Sequence, residues 1–357
     1  MSEGKVLIIA EAGVNHNGSL DMALRLVDAA AEAGADAVKF QTFRASRLVR
    51  HDAPKARYQV ENMGAEGTQM DMLRALEMDE AMHAAVVERC AKRGIRFLSS
   101  PFDEESADWL VERFGMECVK IPSGEITNGP FLLHLARKGY PVILSTGMST
   151  LGEVEEALAV LAYGYVQGEG APSKETFLRA FCSQRGQDAL GGKVVLLHCT
   201  SEYPAPPEQV NLKVLETLRV AFGLPVGFSD HTEGIDVPLA AVALGACVLE
   251  KHFTLDTTLP GPDHKASLDP GELQALVRGV RRVERALGGA RKRFSPEEGQ
   301  NRSLVRRSLV VSRGMRRGEP LEGALGVKRP GTGRSPMEYW AACSEVAERD
   351  YDADDFL

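Results

Sequence analysis

Short apolar runs alternate with amphipathic stretches along most of the chain. Eight of the runs are typical of β-strands, and each precedes a stretch in which apolar residues recur at helical spacing. The first such stretch is well delimited, because Ser19 stands where a helix N-cap is expected and Gly34 where the helix would stop. The predicted strands cover 6–13, 37–43, 96–102, 118–125, 141–148, 194–204, 226–232 and 247–254. The predicted helices cover 19–35, 79–93, 104–114, 129–138, 152–162, 207–221, 236–245 and 270–288.

Repeated alternation of strand and helix predicts parallel strands joined by helical crossovers. Eight such units in about 285 residues fit a closed (β/α)8 TIM barrel better than an open sheet. A doubly wound sheet is the alternative, but no glycine-rich nucleotide loop follows the first predicted strand. The predicted fold class is therefore α/β, with a TIM barrel.

Two segments interrupt the barrel pattern. Residues 44–78 form a long connection between the second strand and its helix, and connections of this length are often functional lids. Residues 163–193 form a polar, glycine-rich insertion before the sixth strand. Because the insertion enters that strand from its amino-terminal side, away from the catalytic face, we interpret it as a surface excursion.

The sequence changes character after Gly289, where a polar stretch precedes short β-like runs with turn signals and little helix. We predict three parts: a barrel domain over 1–290, a linker over 291–301 and a small, mostly β domain over 302–357. A domain of about 55 residues is near the lower limit for independent stability. The small domain is therefore expected to be stabilised by packing against the barrel or against a partner subunit.

Composition excludes several classes of protein. The hydrophobic content of 44% and the charged content of 26% are ordinary for a globular protein. The net charge of −8, from 42 basic and 50 acidic residues, argues against a nucleic-acid-binding protein. The six cysteines include no CxxC pair, which indicates a reducing compartment without disulfides. Because the chain shows neither a membrane-length apolar stretch nor a signal-peptide layout, a cytoplasmic location is expected.

Polar side chains end every predicted strand, and these carboxyl ends carry the active site of a TIM barrel. Lys39 and Lys120 are embedded in the apolar runs "AVKFQ" and "CVKIP", where an ammonium group without a partner would be costly. Two lysines with several serine hydroxyls suggest a bound phosphate or phosphate-bearing carboxylate. An internal Lys–Glu ion pair is the alternative.

His231 and His252 end the seventh and eighth predicted strands, which are neighbours in a closed barrel. Two imidazoles placed in this way could bind one divalent metal ion, with water or substrate completing the coordination. Histidines that are merely hydrogen-bonded are the alternative. Glu250 or Asp230 could be a further ligand, or a proton-transfer or hydrogen-bonding group.

Together the motifs at the strand ends resemble the sialic acid synthase family. They are "IAEAGVNHNG", "VKFQTF", "FLSSPFD", "KIPSGEITN", "ILSTGM", "LLHCTSEYPAP", "GFSDHTEG", "EKHFTLD" and "PGPDHKASL". One of them alone would be weak, but they occur in order over roughly 5–290 and therefore make a specific match. The tail "RRSLVVSRGMRRGEPLEGALGVKRPGTGRSP" resembles the family's C-terminal antifreeze-like (SAF) domain.

The resemblance implies roles for individual residues. Lys39, Ser100, Lys120, Ser123, Ser145, Ser229 and His231 would surround phosphoenolpyruvate. Gln41, Glu125, Tyr203 and Asp263 would face the sugar, and His231 and His252 would ligate manganese, or alternatively magnesium or cobalt. Arg329 would reach from the SAF domain of one subunit into the barrel of the other, which implies a homodimer.

The resemblance also implies a reaction. The C3 carbon of phosphoenolpyruvate would attack the open-chain aldehyde of an N-acylated hexosamine, with the metal as Lewis acid and phosphate leaving by C–O cleavage. Glu125, Glu250, His231 and Lys120 are the catalytic candidates, and the two glutamates are those expected to handle protons or position the substrate. N-acetylmannosamine, giving N-acetylneuraminate, is the expected sugar. A 2,4-diacetamido-2,4,6-trideoxyhexose, leading to legionaminate or pseudaminate, is the alternative.

Three further classes compete with this interpretation. A synthase of deoxy-keto sugar acids from an aldose phosphate would share the barrel, but the SAF-like tail and the pattern "SDHT…EKHFT" argue against it. A metal-dependent barrel hydrolase would be expected to carry a His-x-His pair on an early strand, which this sequence lacks. A non-catalytic, sugar-binding SAF protein would not need polar residues at the ends of all the predicted strands.

Overall fold

The computed structural model describes residues 5–64 and 66–357. It divides into two compact units, of which the first ends at Gly288 and the second spans Gly289–Leu357. The first four residues of the N-terminal segment, which were considered above for a signal peptide, lie outside the described residues. Within the described ranges, no helix is long and apolar enough to cross a membrane.

Eight parallel strands form the centre of the first unit. Their order in the sheet is β3-β2-β1-β8-β7-β6-β5-β4, and the strands at the two ends of this order contact each other, so that the sheet closes. The predicted (β/α)8 barrel is thereby confirmed. The strands are β1 Leu7–Gly13, β2 Ala37–Thr42, β3 Arg96–Pro101, β4 Val119–Ile121, β5 Val142–Ser145, β6 Val194–Cys199, β7 Val226–Asp230 and β8 Val248–His252.

Most of the described helices of this unit begin at a capping side chain that the sequence supplies. At the first helix, Ser19 accepts a hydrogen bond from the amide of Met22, and Gly34 ends the helix with a φ of 82°. The helices are α1 Leu20–Ala33, α2 Ala45–Leu48, α3 Arg57–Met63, α4 Gln69–Arg74, α5 Glu80–Arg93, α6 Glu104–Phe114, α7 Gly129–Arg137, α8 Leu151–Tyr165, α9 Lys174–Phe181, α10 Gln184–Lys193, α11 Pro207–Val210, α12 Val214–Phe222, α13 Asp236–Ala243 and α14 Pro270–Leu287.

Alternation along the strands separates the core from the cavity. In β2, Val38 and Phe40 belong to the hydrophobic core that the strands share with the helix layer. Lys39 and Gln41, from the same strand, line a cavity at the carboxyl end of the barrel. Successive side chains of a strand point to opposite faces, so each strand contributes to both environments.

Residues 44–78 differ from the long loop that the sequence predicts, because they contain the short helices α2, α3 and α4. Thr68 caps α4 in a capping box with Asp71. Phe43, Met70 and Leu73 join a small hydrophobic cluster that fixes the segment. Helices of this length cover too few turns to show a periodic pattern, which is why the sequence indicates only a loop.

The insertion 163–193 is largely helical and packs onto the barrel. Helix α8 continues to Tyr165, and α9 and α10 follow it. The ring of Phe177 meets that of Tyr163 edge-on, with centroids 5.1 Å apart. Ala180 and Leu190 are buried as well. The description of this segment as a surface excursion is therefore incomplete, because one face of it is packed.

The second unit has its own small core. Strands β9 Ser308–Val311 and β10 Leu325–Lys328 pair antiparallel, and helices α15 Pro296–Val305 and α16 Tyr339–Ala342 flank them in the chain. Val311, Leu321 and Ala324 are among the buried residues of its hydrophobic cluster.

Helix α15 occupies the second half of the predicted linker over 291–301. Ser295 accepts a hydrogen bond from the amide of Glu298, whose side chain bonds back to the amide of Ser295. None of the residues of α15 is buried, so the sequence offers no apolar stripe that would predict a helix.

Candidate active site

A cavity of about 510 Å³ opens at the carboxyl ends of the barrel strands. It gathers most of the residues predicted for the site, although they come from seven different strands or the loops that follow them. The predicted residues that line it are Lys39, Gln41, Ser100, Lys120, Ser123, Ser145, Tyr203, Ser229, His231, Glu250 and His252.

Three predicted residues lie elsewhere. Glu125 ends a short 3-10 helix after β4, where its carboxylate accepts a hydrogen bond from Asn128 Nδ2 at 2.6 Å. Asp263 is buried and is not among the residues that line the cavity, although its Oδ2 atom lies 3.9 Å from His252 Nδ1. Arg329 is an exposed residue of the second unit.

Four charged side chains form a buried cluster inside the cavity. Lys39 Nζ lies 2.7 Å from Glu11 Oε2 and 3.6 Å from Glu250 Oε2. Lys120 Nζ lies 3.5 Å from Glu250 Oε1. The internal Lys–Glu pairing that the sequence left as an alternative is therefore present, and it coexists with a cavity that can admit an anion.

The pKa values of the two glutamates in this cluster are shifted in opposite directions. Burial raises the pKa of Glu11 to about 7, against the opposing effect of the charge on Lys39. Burial also disfavours the ionised form of Glu250, but Lys120 and Lys39 outweigh it and lower the pKa of Glu250 to about 2. Carboxyl groups whose pKa values are pushed apart in this way are suited to different proton-transfer roles.

The pKa values of the two lysines are likewise shifted in opposite directions. Burial lowers the pKa of Lys120, because its neighbouring charges only partly compensate for lost hydration. At Lys39 the charges of Glu11 and Glu250 overcome burial and raise the pKa. Lys39 also donates a hydrogen bond to Ser100 Oγ at 3.0 Å. Both ammonium groups face the cavity, where a bound anion would meet them.

Ser145 Oγ and His252 Nδ1, both at the cavity, are buried without a hydrogen bond in the described part of the chain. Buried polar groups are rarely left unpaired, so unpaired atoms that converge on one cavity indicate a place for a ligand. Ser229 differs from them, because its hydroxyl donates to Glu250 Oε1 at 2.9 Å.

The paired histidines fit a metal site. The rings of His231 and His252 have centroids 5.5 Å apart. His231 Nδ1 lies 2.6 Å from the carbonyl oxygen of Thr200, so Nε2 is the ring nitrogen that could bind a metal ion. Burial lowers the pKa of both rings and favours the neutral form that binds metals. In the ranges described, no group of three or more His, Cys, Asp or Glu side chains is arranged for a metal, so water or substrate oxygens would have to complete the coordination.

Asp230 is not placed to join these histidines. It points to the opposite face of β7, where Lys251 donates to its carboxylate. Glu11 and Arg57 are among the residues that line the cavity although they received no role from the sequence. Glu11 carries a usable signal, since it is an acid inside the apolar run "LIIAEAG". Arg57 carries none, because it stands on α3 and not at a strand end.

A TIM barrel with buried lysines, carboxylates and two histidines at its carboxyl face defines an enzyme that acts on an anionic small molecule. The chain matches the NeuB family over residues 26–292. It is 46% identical over 354 residues to the N,N'-diacetyllegionaminic acid synthase of Campylobacter jejuni, covering 99% of each chain. It is 48% identical over 332 residues to the synthase of that name from Legionella pneumophila, covering 93% of this chain and 87% of the relative.

A solved structure supports the same placement. The N-acetylneuraminic acid (sialic acid) synthetase of Leptospira borgpetersenii, in complex with citrate, aligns with a TM-score of 0.66 at 33% identity. The alignment covers 83% of this chain and 90% of that one. The chain therefore belongs to the NeuB family of nonulosonic acid synthases, enzymes that form carbon–carbon bonds.

Proposed function

We propose that this enzyme condenses phosphoenolpyruvate with a 2,4-diacetamido-2,4,6-trideoxyhexose, giving N,N'-diacetyllegionaminate and phosphate. The sequence favours N-acetylmannosamine as the sugar, with the trideoxyhexose as the alternative. Two legionaminate synthases that are 46% and 48% identical to the chain support the alternative instead. The N-acetylneuraminate synthetase from Leptospira, at 33% identity, keeps N-acetylmannosamine as the second candidate.

The observation that carries the condensation is that two buried lysines line the same cavity as Ser145, whose hydroxyl has no hydrogen bond in the described part of the chain. An ammonium group and a hydroxyl donate hydrogen bonds to phosphate or carboxylate oxygens, and low polarity in the cavity strengthens these contacts. Lys39 and Lys120 are each only 3% exposed, so an anion that reaches them is itself removed from water.

In the proposed reaction, the C3 carbon of phosphoenolpyruvate bonds to the aldehyde carbon of the open-chain sugar. Water adds to C2, the C2–O bond to phosphate breaks, and the oxygen of the water becomes the ketone oxygen. One proton of the water ends on the new sugar hydroxyl and the other on phosphate. Lys39 and Lys120 hold the anion against the aldehyde, which lowers the entropic cost of the encounter.

We assign the proton transfers to Glu11 in preference to Glu125. The pKa of Glu11, raised to about 7 by burial, allows this carboxyl to give and take a proton near neutral pH. Glu250 stays ionised and faces the positive charge that develops at C2. A divalent ion bound by His231 and His252 would supply Lewis-acid polarisation of the aldehyde oxygen, and we propose manganese for this ion.

The second unit enters the proposal through its resemblance to the SAF domain. We propose that the enzyme is a homodimer and that Arg329 of one copy contributes to the sugar site of the other. Closed two-fold dimers are the commonest assemblies of soluble proteins, and they allow each copy to complete the site of its partner.

The first experiment is phosphate release from phosphoenolpyruvate with Mn²⁺, using N-acetylmannosamine and the diacetamido-trideoxyhexoses in parallel. Release with a diacetamido-trideoxyhexose alone is the expected result, and a chelator should abolish it. Release with N-acetylmannosamine alone would replace the proposed sugar while leaving the reaction intact. Absence of release with every sugar, from an enzyme that shows a cooperative melting transition, would refute the condensation.

A further inference from the structure

Lys251 and Asp230 form a buried ion pair next to the two histidines of the site. Lys251 Nζ lies 2.6 Å from Asp230 Oδ2, and the two side chains are 1% and 0% exposed. Lys251 precedes His252 in the chain, and Asp230 precedes His231. The pair faces the helix layer, away from the cavity, so it does not touch substrate.

The pair lies where the backbone hydrogen bonds between β7 and β8 end. The register pairs Ser229 with Glu250 and then Asp230 with Lys251, which is its last step. His252 still pairs with Glu11 of β1, whereas His231 lies beyond the end of β7. The ladder therefore holds His252 but does not reach His231.

The carbonyl oxygen of His231 accepts a backbone hydrogen bond from the amide of Ala205 at 2.8 Å, and side-chain bonds hold the residues on either side of His231. Asp230 Oδ1 accepts hydrogen bonds from the amide of Thr232 at 3.0 Å and from its hydroxyl at 2.9 Å, which closes a tight turn around His231. Lys251 also donates to the carbonyl oxygen of Thr232. The ammonium group thus bonds to the residues on both sides of His231.

We propose that Lys251 is a positioning residue that fixes His231 relative to His252 and so sets the geometry of the metal site. This inference rests on the metal site of the proposed function. A buried ion pair contributes little to stability compared with apolar side chains of similar size, so its presence calls for another role. Partners that orient metal ligands have such a role.

The test is Mn²⁺ binding to the metal-free protein, followed by the electron paramagnetic resonance of free Mn²⁺. Lys251→Met is expected to weaken binding by about 10- to 100-fold, the usual effect of losing a group that orients a ligand. Because this variant leaves Asp230 with an unpaired charge, the double variant Lys251→Met/Asp230→Leu is measured as well. It restores an apolar pair, and it should keep its melting temperature in chelator yet still bind Mn²⁺ weakly.

The matched control is Arg281→Met. Arg281 bonds to Asp36 and to the carbonyl oxygen of Val6, at the amino end of the barrel. Its loss should lower the melting temperature but leave the Mn²⁺ dissociation constant within about two-fold, because distant sites act independently.

Two results would overturn the inference. If the folded double variant binds Mn²⁺ as tightly as the unaltered protein, Lys251 does not position the histidines and the proposed function is unaffected. If the unaltered protein shows no Mn²⁺ binding that His252→Ala removes, the metal site of the proposed function fails and the inference fails with it.

Discussion

Lys39 Nζ lies 2.7 Å from Glu11 Oε2, and this contact is buried at the mouth of the barrel. Burial raises the pKa of Glu11 from 4.5 to about 7 despite the lysine. Between pH 4.5 and pH 7, Glu11 therefore keeps a proton in the folded protein that it has released in the unfolded chain. Stability due to this group is complete below pH 4.5 and is lost as the pH rises through 7.

Glu11→Gln should remove this part of the pH dependence. The free energy of unfolding, measured with denaturant across pH 4.5 to 7, should fall less steeply in the variant than in the unaltered enzyme. Glu155→Gln, at an exposed position of α8, is the control and should leave the slope unchanged. A constant difference between Glu11→Gln and the unaltered enzyme at every pH would contradict the raised pKa.

His231→Ala and His252→Ala should each abolish metal-dependent turnover and leave the fold intact. The loss in kcat is expected to be about 100-fold or more, since Lewis-acid stabilisation contributes several kcal/mol. His134→Ala, which removes a contact with Asp108 on the outer helices, is the control. Full activity in either active-site variant would refute the assignment of the two histidines as metal ligands.

Gly147→Ala should damage the anion site by steric overlap. A Cβ atom at Gly147 would lie 2.4 Å from Ser201 Oγ and 2.7 Å from both Cys199 Sγ and Ser123 Oγ. Relief of this overlap should cost about 1–3 kcal/mol of stability and displace Ser123, which raises the KM for phosphoenolpyruvate.

The control for this variant is Gly191→Ala, in helix α10, where an added Cβ has no atom within 4 Å. It should leave kinetics unchanged and stabilise the protein by up to about 1 kcal/mol through helix propensity. An unchanged KM for phosphoenolpyruvate in Gly147→Ala would show that the serine does not contact that substrate.

Arg329→Ala should raise the KM for the sugar far more than that for phosphoenolpyruvate. Arg317→Ala, at another exposed arginine of the second unit, should change neither. If Arg329 acts across subunits, refolding Arg329→Ala together with Lys120→Met should restore about a quarter of the full rate, since mixed dimers carry one intact site. An inactive mixture, or an unchanged sugar KM, would refute the cross-subunit contact.

Periodicity and chain order allow both the barrel and the strand-end residues to be predicted from the sequence. Strands of alternating character place Lys39 and Gln41 on one face, and the order of the strands brings His231 beside His252. Both deductions need only periodicity and chain order, which are local properties of the sequence.

Features that depend on register or on single hydrogen bonds could not be deduced in this way. The pairing of Asp230 with Lys251 follows from the ladder between β7 and β8, which the sequence does not specify. Glu125 bonds to Asn128 because a short 3-10 helix turns it aside after β4. Likewise, the acidity of Glu11 depends on complete burial, which becomes visible only when all the strands close around it.

The buried cluster of Lys39, Lys120, Glu11 and Glu250 is electrically balanced when all four groups are ionised. Phosphoenolpyruvate adds several negative charges to this balance, and a buried carboxylate that takes up a proton offsets part of the excess. Ligand binding and protonation are therefore thermodynamically linked, and the affinity for phosphoenolpyruvate should fall as the pH rises through the pKa of Glu11. The heat of binding should then depend on the ionisation enthalpy of the buffer, so calorimetry in two buffers would count the protons that accompany the substrate.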